Sequence, residues 1–419
     1  MLNQEISNCF AEKIGEFGIK KTDFEQAKQH MISLLPKILQ DKQPVFDFEN
    51  LEERISEARD ISKKISENAE TIYVLGTGGA TLCGQTILGL ISNSFIRRKN
   101  IVFIDNVDPF TIKQISEDID VSKSHFLVIS KSGGTLETIT QFLYFLSLVE
   151  SKTKDISENF TIISHLDNEN NIIRNIAEDL KIRVLEHHKV GGRFSIFTNV
   201  SLIISDFVGL DISKFLNSAK NYFDDCFNQK NLDAVDGAVL NVLFSGRCAS
   251  NVIFPYEDRL KNFNSWYSQI YAESLGKNNS AMSPIRAVGT LDQHSQLQQF
   301  LQGRKDKFFT LIASERKNLG DVVYSKNIAK YAPNYLKNKK IGDVINASFE
   351  STITTFFKNN IPARILKIPR LDEEVMGQLC AFSVLEIVLI GYYFQLNVFD
   401  QPAVEQGKKI AIDILQKGE

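Results

Sequence analysis

The sequence feature that most constrains the fold is a short apolar run that ends in glycine and hydroxyl residues and then enters a helix. Phe126 to Ile129 is continuously apolar, which is typical of a strand buried on both faces of a parallel sheet. From Leu136 to Val149 apolar residues recur close to the 3.6-residue period of an amphipathic helix. A strand, a tight turn and a helix in this order indicate an α/β protein.

The turn between this strand and helix, SKSGGT at 130–135, predicts a phosphate-binding site. Its two glycines let the backbone turn sharply, and the following helix offers N–H donors and the positive end of its dipole. Hydroxyl side chains and one lysine suit the many short hydrogen bonds of a phosphomonoester. The alternative is an ordinary helix cap, which serine and threonine also favour. The residues expected to contact the phosphate are Ser130, Lys131, Ser132, Thr135 and Thr138.

A second glycine turn, GTGGATLCG at 76–84, follows the predicted strand 71–75. A dinucleotide fingerprint would need glycine at position 81, where Thr81 stands, although Asp105 ends the next strand about where a ribose-binding acid would lie. A dinucleotide therefore stays an alternative. Two glycine turns at the carboxyl ends of parallel strands favour a compact phosphate, which Gly78 and Gly79 would approach.

Strand and helix patterns alternate in two successive runs, which predicts two α/β domains. We expect an amino-terminal helical segment over 1–68, a first domain over 69–230, a second over 231–396 and a carboxyl-terminal helix over 397–419. Each domain is predicted to be a three-layer αβα sandwich with a parallel sheet. The predicted strands are 71–75, 101–104, 126–129, 160–164, 182–185, 251–254, 308–313 and 363–368, and the main predicted helices are 82–91, 136–149, 170–180, 341–357 and 373–396.

Composition excludes several classes of protein. The net charge of −3 and the absence of a basic block give no field for nucleic acid. The five scattered cysteines form no C-x-x-C pair and indicate free thiols in a reducing cytosol. The first residues lack the pattern of a secretory signal, and Glu386 interrupts the longest apolar segment, 379–396, so a buried helix is favoured over a membrane span. We therefore expect a cytoplasmic protein that binds neither nucleic acid nor a membrane.

Four ionisable residues are candidates for chemistry. Glu273 falls in the last turn of a helix predicted to open at Pro255, where a carboxylate opposes the helix dipole, and this placement suggests a general base. His294 lies in the polar segment GTLDQHS, and Arg193 follows two glycines that would direct its guanidinium towards the same mouth. Lys408 lies near the carboxyl end, where the pattern by itself indicates only a solvated charge.

The sequence offers little support for a metal site or for acyl transfer. His187 and His188 are adjacent, so their side chains diverge, and no H-x-x-x-H or paired Cys/His spacing occurs. A G-x-S-x-G elbow is also missing.

Together these segments resemble the glucose-6-phosphate isomerase family from about residue 70 to the end of the chain. The motifs that carry the resemblance are GTGGATL at 76–82, DNVDP at 105–109, SKSGGTLET at 130–138, VGGRFS at 190–195, QIYAESLGK at 269–277, GTLDQHS at 289–295 and FDQPAVEQGK at 399–408.

The resemblance implies a double sugar-isomerase-domain fold and an isomerase of glycolysis and gluconeogenesis that interconverts glucose 6-phosphate and fructose 6-phosphate. It implies that Glu273 is the base, that His294 and Lys408 open the sugar ring, and that Arg193 stabilises the enediolate. It further implies substrate contacts for the two glycine turns and Gln401, no cofactor or metal, and a homodimer in which His294 crosses the interface. An enzyme that also accepts mannose 6-phosphate and a non-catalytic sugar-phosphate sensor are the alternatives.

Three positions depart from the family pattern. Ala80 and Cys83 stand where the family usually has serine and glycine, so Thr81 is the candidate for the missing hydroxyl contact. Ala403 replaces the glycine of FDQPGVE. None of the proposed acid–base residues is affected.

Overall fold

The protein is described here by a computed structural model over residues 2–91, 99–167 and 171–418. It forms two compact units, each built from separate stretches of chain. One, the 39–221 unit, consists of Leu39–Asn221 and Asn397–Glu419; the other, the 222–396 unit, consists of Met1–Ile38 and Tyr222–Leu396. The predicted boundaries after residues 68, 230 and 396 follow chain order and stay a prediction.

The elements alternate along most of the chain. The strands are β1 (Asn3–Glu5), β2 (Thr71–Leu75), β3 (Asn100–Ile104), β4 (Ser124–Ile129), β5 (Phe160–Ser164), β6 (Arg183–Glu186), β7 (Ser250–Pro255), β8 (Ser283–Arg286), β9 (Lys307–Ser314) and β10 (Ala363–Ile368). The α-helices are α1 (Ala11–Ile14), α2 (Lys21–Gln40), α3 (Leu51–Asn68), α4 (Gly79–Leu88), α5 (Pro109–Glu117), α6 (Leu136–Glu150), α7 (Ile172–Asp179), α8 (Asn199–Phe207), α9 (Ile212–Phe227), α10 (Asp233–Ser245), α11 (Lys261–Leu275), α12 (Leu291–Ser295), α13 (Leu297–Gln302), α14 (Ile341–Lys358), α15 (Glu373–Tyr393) and α16 (Glu405–Lys417).

The sheet of the 39–221 unit is parallel throughout, in the order β3-β2-β4-β5-β6. Every residue of β4 and β5 is buried, which confirms the prediction of strands covered on both faces. One face packs against apolar residues of α5, α6 and α7, such as Phe142 and Ile173. The register pairs Ile129 with Ile163, so the segments after β4 and β5 leave the sheet side by side.

The sheet of the 222–396 unit has the order β1-β10-β9-β7-β8. It is parallel except for β1, which pairs with β10 in the antiparallel direction. The sequence did not predict β1 or β8, because runs of three and four residues are too short to establish a period. The antiparallel pairing ties the amino terminus to this unit.

The predicted elements are found with shifts of a few residues at most. Strands 71–75, 160–164 and 363–368 have the predicted bounds. The predicted helix 170–180 is found as α7, and its predicted first residue, Asn170, lies outside the described residues. The helix predicted to open at Pro255 begins at Lys261 instead, because Pro255 still belongs to β7 and its carbonyl oxygen accepts a hydrogen bond from Gly289.

Helix α15 is long and apolar enough to cross a membrane by length and composition, but most of it is buried within its unit. Its Glu386 side chain is fully buried and forms a bidentate ion pair with the buried Arg364 of β10. Tyr267 of α11 donates a further hydrogen bond of 2.8 Å to Glu386. These contacts are those of a core helix, as the sequence predicted.

Candidate active site

The SKSGGT turn leaves β4 at Ser130 and enters α6 after Thr135 in the 39–221 unit. Ser130 is buried, and its hydroxyl and carbonyl oxygens both accept from the Gly133 N–H at 3.2 Å. Gly133 has a φ of +65°, a conformation that glycine adopts without strain. The Gly134 N–H donates to the Ser132 hydroxyl at 3.3 Å. The turn thus curls its own hydroxyl groups towards its backbone amides at the amino end of α6.

The Thr135 side chain does not cap α6, although the Ser130 and Ser132 hydroxyl groups accept hydrogen bonds from amides of the turn. Thr135 is the N-cap residue of α6, yet its side chain accepts no capping hydrogen bond from the helix. Its hydroxyl instead lies 3.4 Å from that of Ser130. Thr138, predicted as a phosphate contact, is 1% exposed, whereas Lys131 and Ser132 are exposed. The exposed side of the turn is therefore formed by Lys131, Ser132 and Gly134, and Thr138 lies within the packed part of the helix.

Positive charge is concentrated beside this turn. Partial burial of the ammonium group lowers the pKa of Lys131, and the positive charge of Arg193 lowers it further. Arg193 is itself 2% exposed, whereas an arginine in a loop is usually solvated. Two cations near enough for one to lower the pKa of the other favour the binding of a multiply charged anion at this turn.

Arg193 is held by the carboxyl-terminal segment that precedes α16. Its Nη2 donates to the carbonyl oxygens of Val398 at 2.6 Å and Asp400 at 3.0 Å, and its Nη1 donates to Gln401 Oε1 at 2.7 Å. Phe194 and Phe399 pack against each other beside it, with ring centroids 5.3 Å apart. The structure therefore brings Gln401 to Arg193, and Gln401 orients the guanidinium group.

The first glycine turn contacts the backbone that carries Arg193. Gly79 begins α4, and a β-carbon at this position would lie 2.3 Å from the Gly192 carbonyl. Cys83 is buried one turn later, and its thiol lies 3.6 Å from the Gly192 carbonyl oxygen and 3.8 Å from that of Arg193. The Thr81 hydroxyl donates to the carbonyl oxygen of Gly78, so it is used within its own helix.

Lys408 lies on α16, a helix without buried residues. Its ammonium group forms a 2.7 Å ion pair with Glu405, one turn earlier on the same helix. Hydrogen bonding to Lys408 lowers the pKa of the Glu405 carboxyl. The structure places Lys408 in the same unit as Arg193 and pairs it with Glu405.

Glu273 lies in the last turn of α11 in the 222–396 unit, as predicted, and is half-buried. Buried aromatic residues of α11, among them Trp266 and Tyr271, fix the orientation of this helix. Gln269, one turn earlier, donates from Nε2 to Glu273 Oε1 at 2.9 Å. Gln269 is not among the residues predicted from the sequence, although its i, i+4 spacing from Glu273 was a usable signal.

His294 lies on the short helix α12 rather than in a loop, and its side chain is exposed. Its neighbour Asp292 binds the local backbone instead, accepting from the Val288 N–H at 2.7 Å and from the Ser295 hydroxyl at 2.5 Å. Partial burial opposes ionisation of Asp292, but hydrogen bonds from Gln296, Ser295 and the Val288 amide outweigh it and lower the pKa. Asp292 therefore shapes the helix that presents the imidazole.

The chain matches the family model described as phosphoglucose isomerase over residues 47–419. The match extends further towards the amino terminus than the motifs in the sequence suggested, and it covers both units. The chain belongs to the phosphoglucose isomerase family.

Some relatives in this family are similar to this chain along its whole length. The glucose-6-phosphate isomerase of Methanocaldococcus jannaschii is 30% identical over 434 residues, which cover 100% of both chains. Among solved structures, a hypothetical protein from Thermus thermophilus has a TM-score of 0.84 at 22% identity and covers 99% of this chain and 100% of its own. A glucose-6-phosphate isomerase from Chlamydia trachomatis has a TM-score of 0.72 at 22% identity and covers 87% of this chain and 73% of its own. The structural likeness confirms the predicted fold class.

Proposed function

We propose that this member of the phosphoglucose isomerase family interconverts glucose 6-phosphate and fructose 6-phosphate, with the SKSGGT turn holding the phosphate and Glu273, His294, Lys408 and Arg193 acting on the sugar. The observation that carries the proposal is the serine-lined turn at the amino end of α6, with Lys131 on its exposed side and the buried Arg193 near enough to lower the pKa of Lys131. An anion at this point meets helix N–H groups, hydroxyl groups and the Lys131 ammonium group together.

The first chemical step is opening of the sugar ring. In this proposal His294 and Lys408 move a proton between the ring oxygen and O1. His294 suits this task because its imidazole is exposed, and a neutral imidazole both donates and accepts a proton. Lys408 suits it because an ammonium group on an exposed helix can leave Glu405 for a substrate oxygen.

The second step is proton transfer between C2 and C1. Glu273 takes the proton from one carbon and returns it to the other through a cis-enediolate. Gln269 holds one carboxylate oxygen of Glu273, which limits the orientations that the base can adopt. The negative charge that develops on the enediolate oxygens requires a fixed cation, and this is the role proposed for Arg193.

Glycine and hydroxyl residues complete the proposed binding site. Binding of the phosphate supplies free energy remote from the reacting carbons, and this energy positions C1 and C2 against the base. The proposed contacts are Gly78, Gly79, Ser130, Lys131, Ser132, Thr135, Thr138 and Gln401.

Glu273→Gln tests the assignment of the base. The substitution keeps the size and one hydrogen bond to Gln269 but removes the basic oxygen, so we expect exchange of the C2 proton with solvent deuterium to stop. The inhibition constant of inorganic phosphate should stay within about twofold, because Glu273 makes no contact with that group in the proposal. Retained exchange would reject this base. A coupled assay with fructose 6-phosphate in the presence of EDTA measures turnover and tests the proposed independence from metal.

The proposal includes a homodimer in which His294 serves the partner's site. The exposed imidazole and the exposed Leu291 on the same short helix support an interface there. Mixing inactive His294→Ala and Glu273→Gln subunits tests it, since each mixed dimer would hold one intact site. Random pairing should restore about a quarter of wild-type activity. No recovery after verified subunit exchange would place His294 in the site of its own chain.

A cytoplasmic location is also proposed. All five cysteines are buried free thiols, which suits a reducing compartment.

A further inference from the structure

Asn171 is a fully buried polar residue behind the SKSGGT turn. It caps α7, because its Oδ1 accepts a 2.9 Å hydrogen bond from the Arg174 N–H. Its Nδ2 makes two further bonds, to the Ser164 hydroxyl at 2.7 Å and to the His165 carbonyl oxygen at 3.1 Å. A cap requires only the oxygen of this side chain, so the amide nitrogen has a separate task.

The side chain of Asn171 lies directly against the centre of the turn. A β-carbon on Gly133 would be 1.6 Å from Asn171 Oδ1, closer than any two non-bonded atoms can approach. Gly133 also has its left-handed conformation at this point. The sharp bend of the turn and the position of the asparagine therefore require each other.

Ser164 links Asn171 to the start of the turn. It is fully buried at the end of β5, and its hydroxyl donates to the Ser130 carbonyl oxygen at 2.6 Å while it accepts from Asn171. The His165 N–H donates to the Lys131 carbonyl oxygen at 3.2 Å. The carbonyl groups of Ser130 and Lys131 thus accept hydrogen bonds from Ser164, the last residue of β5, and from His165.

These bonds fix the direction of the amide groups that a phosphate would meet. In a trans peptide the C=O and the following N–H point in opposite directions. Because the carbonyl groups of Ser130 and Lys131 face the segment after β5, the N–H groups of Lys131 and Ser132 are directed to the other side of the turn. The side chains of Lys131 and Ser132 themselves are exposed.

We propose that Asn171, acting through Ser164, is a positioning residue that presets the phosphate-binding turn. It holds the peptide planes at 130–132 in the orientation that directs their N–H groups to the substrate phosphate. This inference rests on the proposed phosphate site and adds residues outside the SKSGGT motif to it. The turn already has this conformation before the substrate binds. The conformational entropy lost on ordering the turn therefore belongs to folding and does not weaken binding of the phosphate.

Asn171→Asp separates the two tasks of the side chain. An aspartate keeps the oxygen that caps α7 but has no N–H to donate to Ser164 or His165. We expect the KM for fructose 6-phosphate and the inhibition constant of inorganic phosphate to rise together by about tenfold, the effect of losing one hydrogen bond that orders the ligand site. Equal values in variant and wild type would overturn the proposal.

Asn159→Asp is the matched control. Asn159 also donates from Nδ2 to two acceptors, here the backbone carbonyl oxygens of Val121 and Ser124, both at 2.9 Å, but at the opposite end of β4. The same exchange there should leave KM and the phosphate inhibition constant within about twofold, whatever it does to the melting temperature. An equal rise in both variants would assign the effect to general loosening of the sheet and overturn the proposal.

Ser164→Ala keeps the experiment decisive if Asn171→Asp fails to fold. It removes one buried hydroxyl and leaves the cap of α7 intact, and we expect a rise of about threefold to tenfold in the phosphate inhibition constant. No rise would overturn the role of the Asn171–Ser164 link. Lys131→Ala separates this outcome from failure of the proposed function. If Lys131→Ala weakens phosphate and Ser164→Ala does not, the turn binds phosphate without being preset by Asn171; if neither does, the phosphate lies elsewhere.

Discussion

Replacing Arg193 by lysine would test how much of the reaction depends on a fixed guanidinium group. The change keeps a positive charge but removes the planar fork, whose Nη1 and Nη2 bind Gln401 and two carbonyl oxygens at 2.6–3.0 Å. A single ammonium nitrogen cannot occupy both Nη positions. At least one acceptor of the 398–401 segment therefore loses its donor, and the largest cost arises if this is the buried Val398 carbonyl group.

The structural cost and the catalytic cost have different sizes. One buried acceptor left without a donor lowers the free energy of unfolding by about 1–3 kcal/mol. Loss of a preorganised donor aimed at developing negative charge lowers kcat by about 10²–10³-fold. Because the enediolate charge is absent from the ground state, we expect kcat to fall with little change in KM.

Two assays separate these costs. Urea unfolding measures the stability, and the coupled assay with fructose 6-phosphate measures kcat and KM. Gln401→Ala is the comparison variant, since it keeps the guanidinium group and removes only its Nη1 partner; we expect a stability loss of about 1 kcal/mol and a fall in kcat smaller than about tenfold. A kcat/KM of Arg193→Lys within threefold of wild type would refute the proposed stabilisation of the enediolate by this residue.

Three further predictions follow from the same unit. Gly79→Ala should place a β-carbon 2.3 Å from the Gly192 carbonyl and displace the backbone of Arg193, so kcat should fall in the coupled assay; an active variant would show that the turn tolerates the shift. Partial burial lowers the pKa of Lys131 and the positive charge of Arg193 lowers it further, so this residue loses its proton at a lower pH than a free lysine. Inhibition by inorganic phosphate should therefore weaken as the pH rises, at pH values below 10.5, the ordinary pKa of lysine. An inhibition constant that stays unchanged up to pH 10.5 would contradict this prediction. Burial lowers the pKa of His125 from 6.5 to about 4, so the imidazole stays neutral in the folded state while it takes up a proton in the unfolded state. The free energy of unfolding should therefore fall as the pH drops from about 6.5 to 4. In urea unfolding, the free energy of unfolding of His125→Gln should change less with pH over this range than that of the wild type.

The sequence by itself determined most of the elements and predicted the chemistry of the turns. The apolar run 126–129 and the period from Leu136 onwards fixed β4 and α6, because burial on two faces and burial on one face leave different spacings in the chain. The motif SKSGGT indicated a site for an anion because its six consecutive residues by themselves supply the glycines, hydroxyl groups and lysine that such a site needs. Predictions failed where context decided, as at Pro255, which extends a strand instead of opening a helix.

Only the tertiary structure decided which side chains act on the turns. Arg193 is buried because carbonyl groups 205 and 207 residues away converge on it, and no local pattern encodes that distance. Asn171 looks like a common helix cap in the sequence, and its contact with Gly133 appears once β4 and β5 lie side by side. Parallel pairing brings the carboxyl ends of distant strands to one edge of the sheet, so residues remote in the chain come into contact there. The roles proposed for Arg193 and Asn171 depend on these contacts.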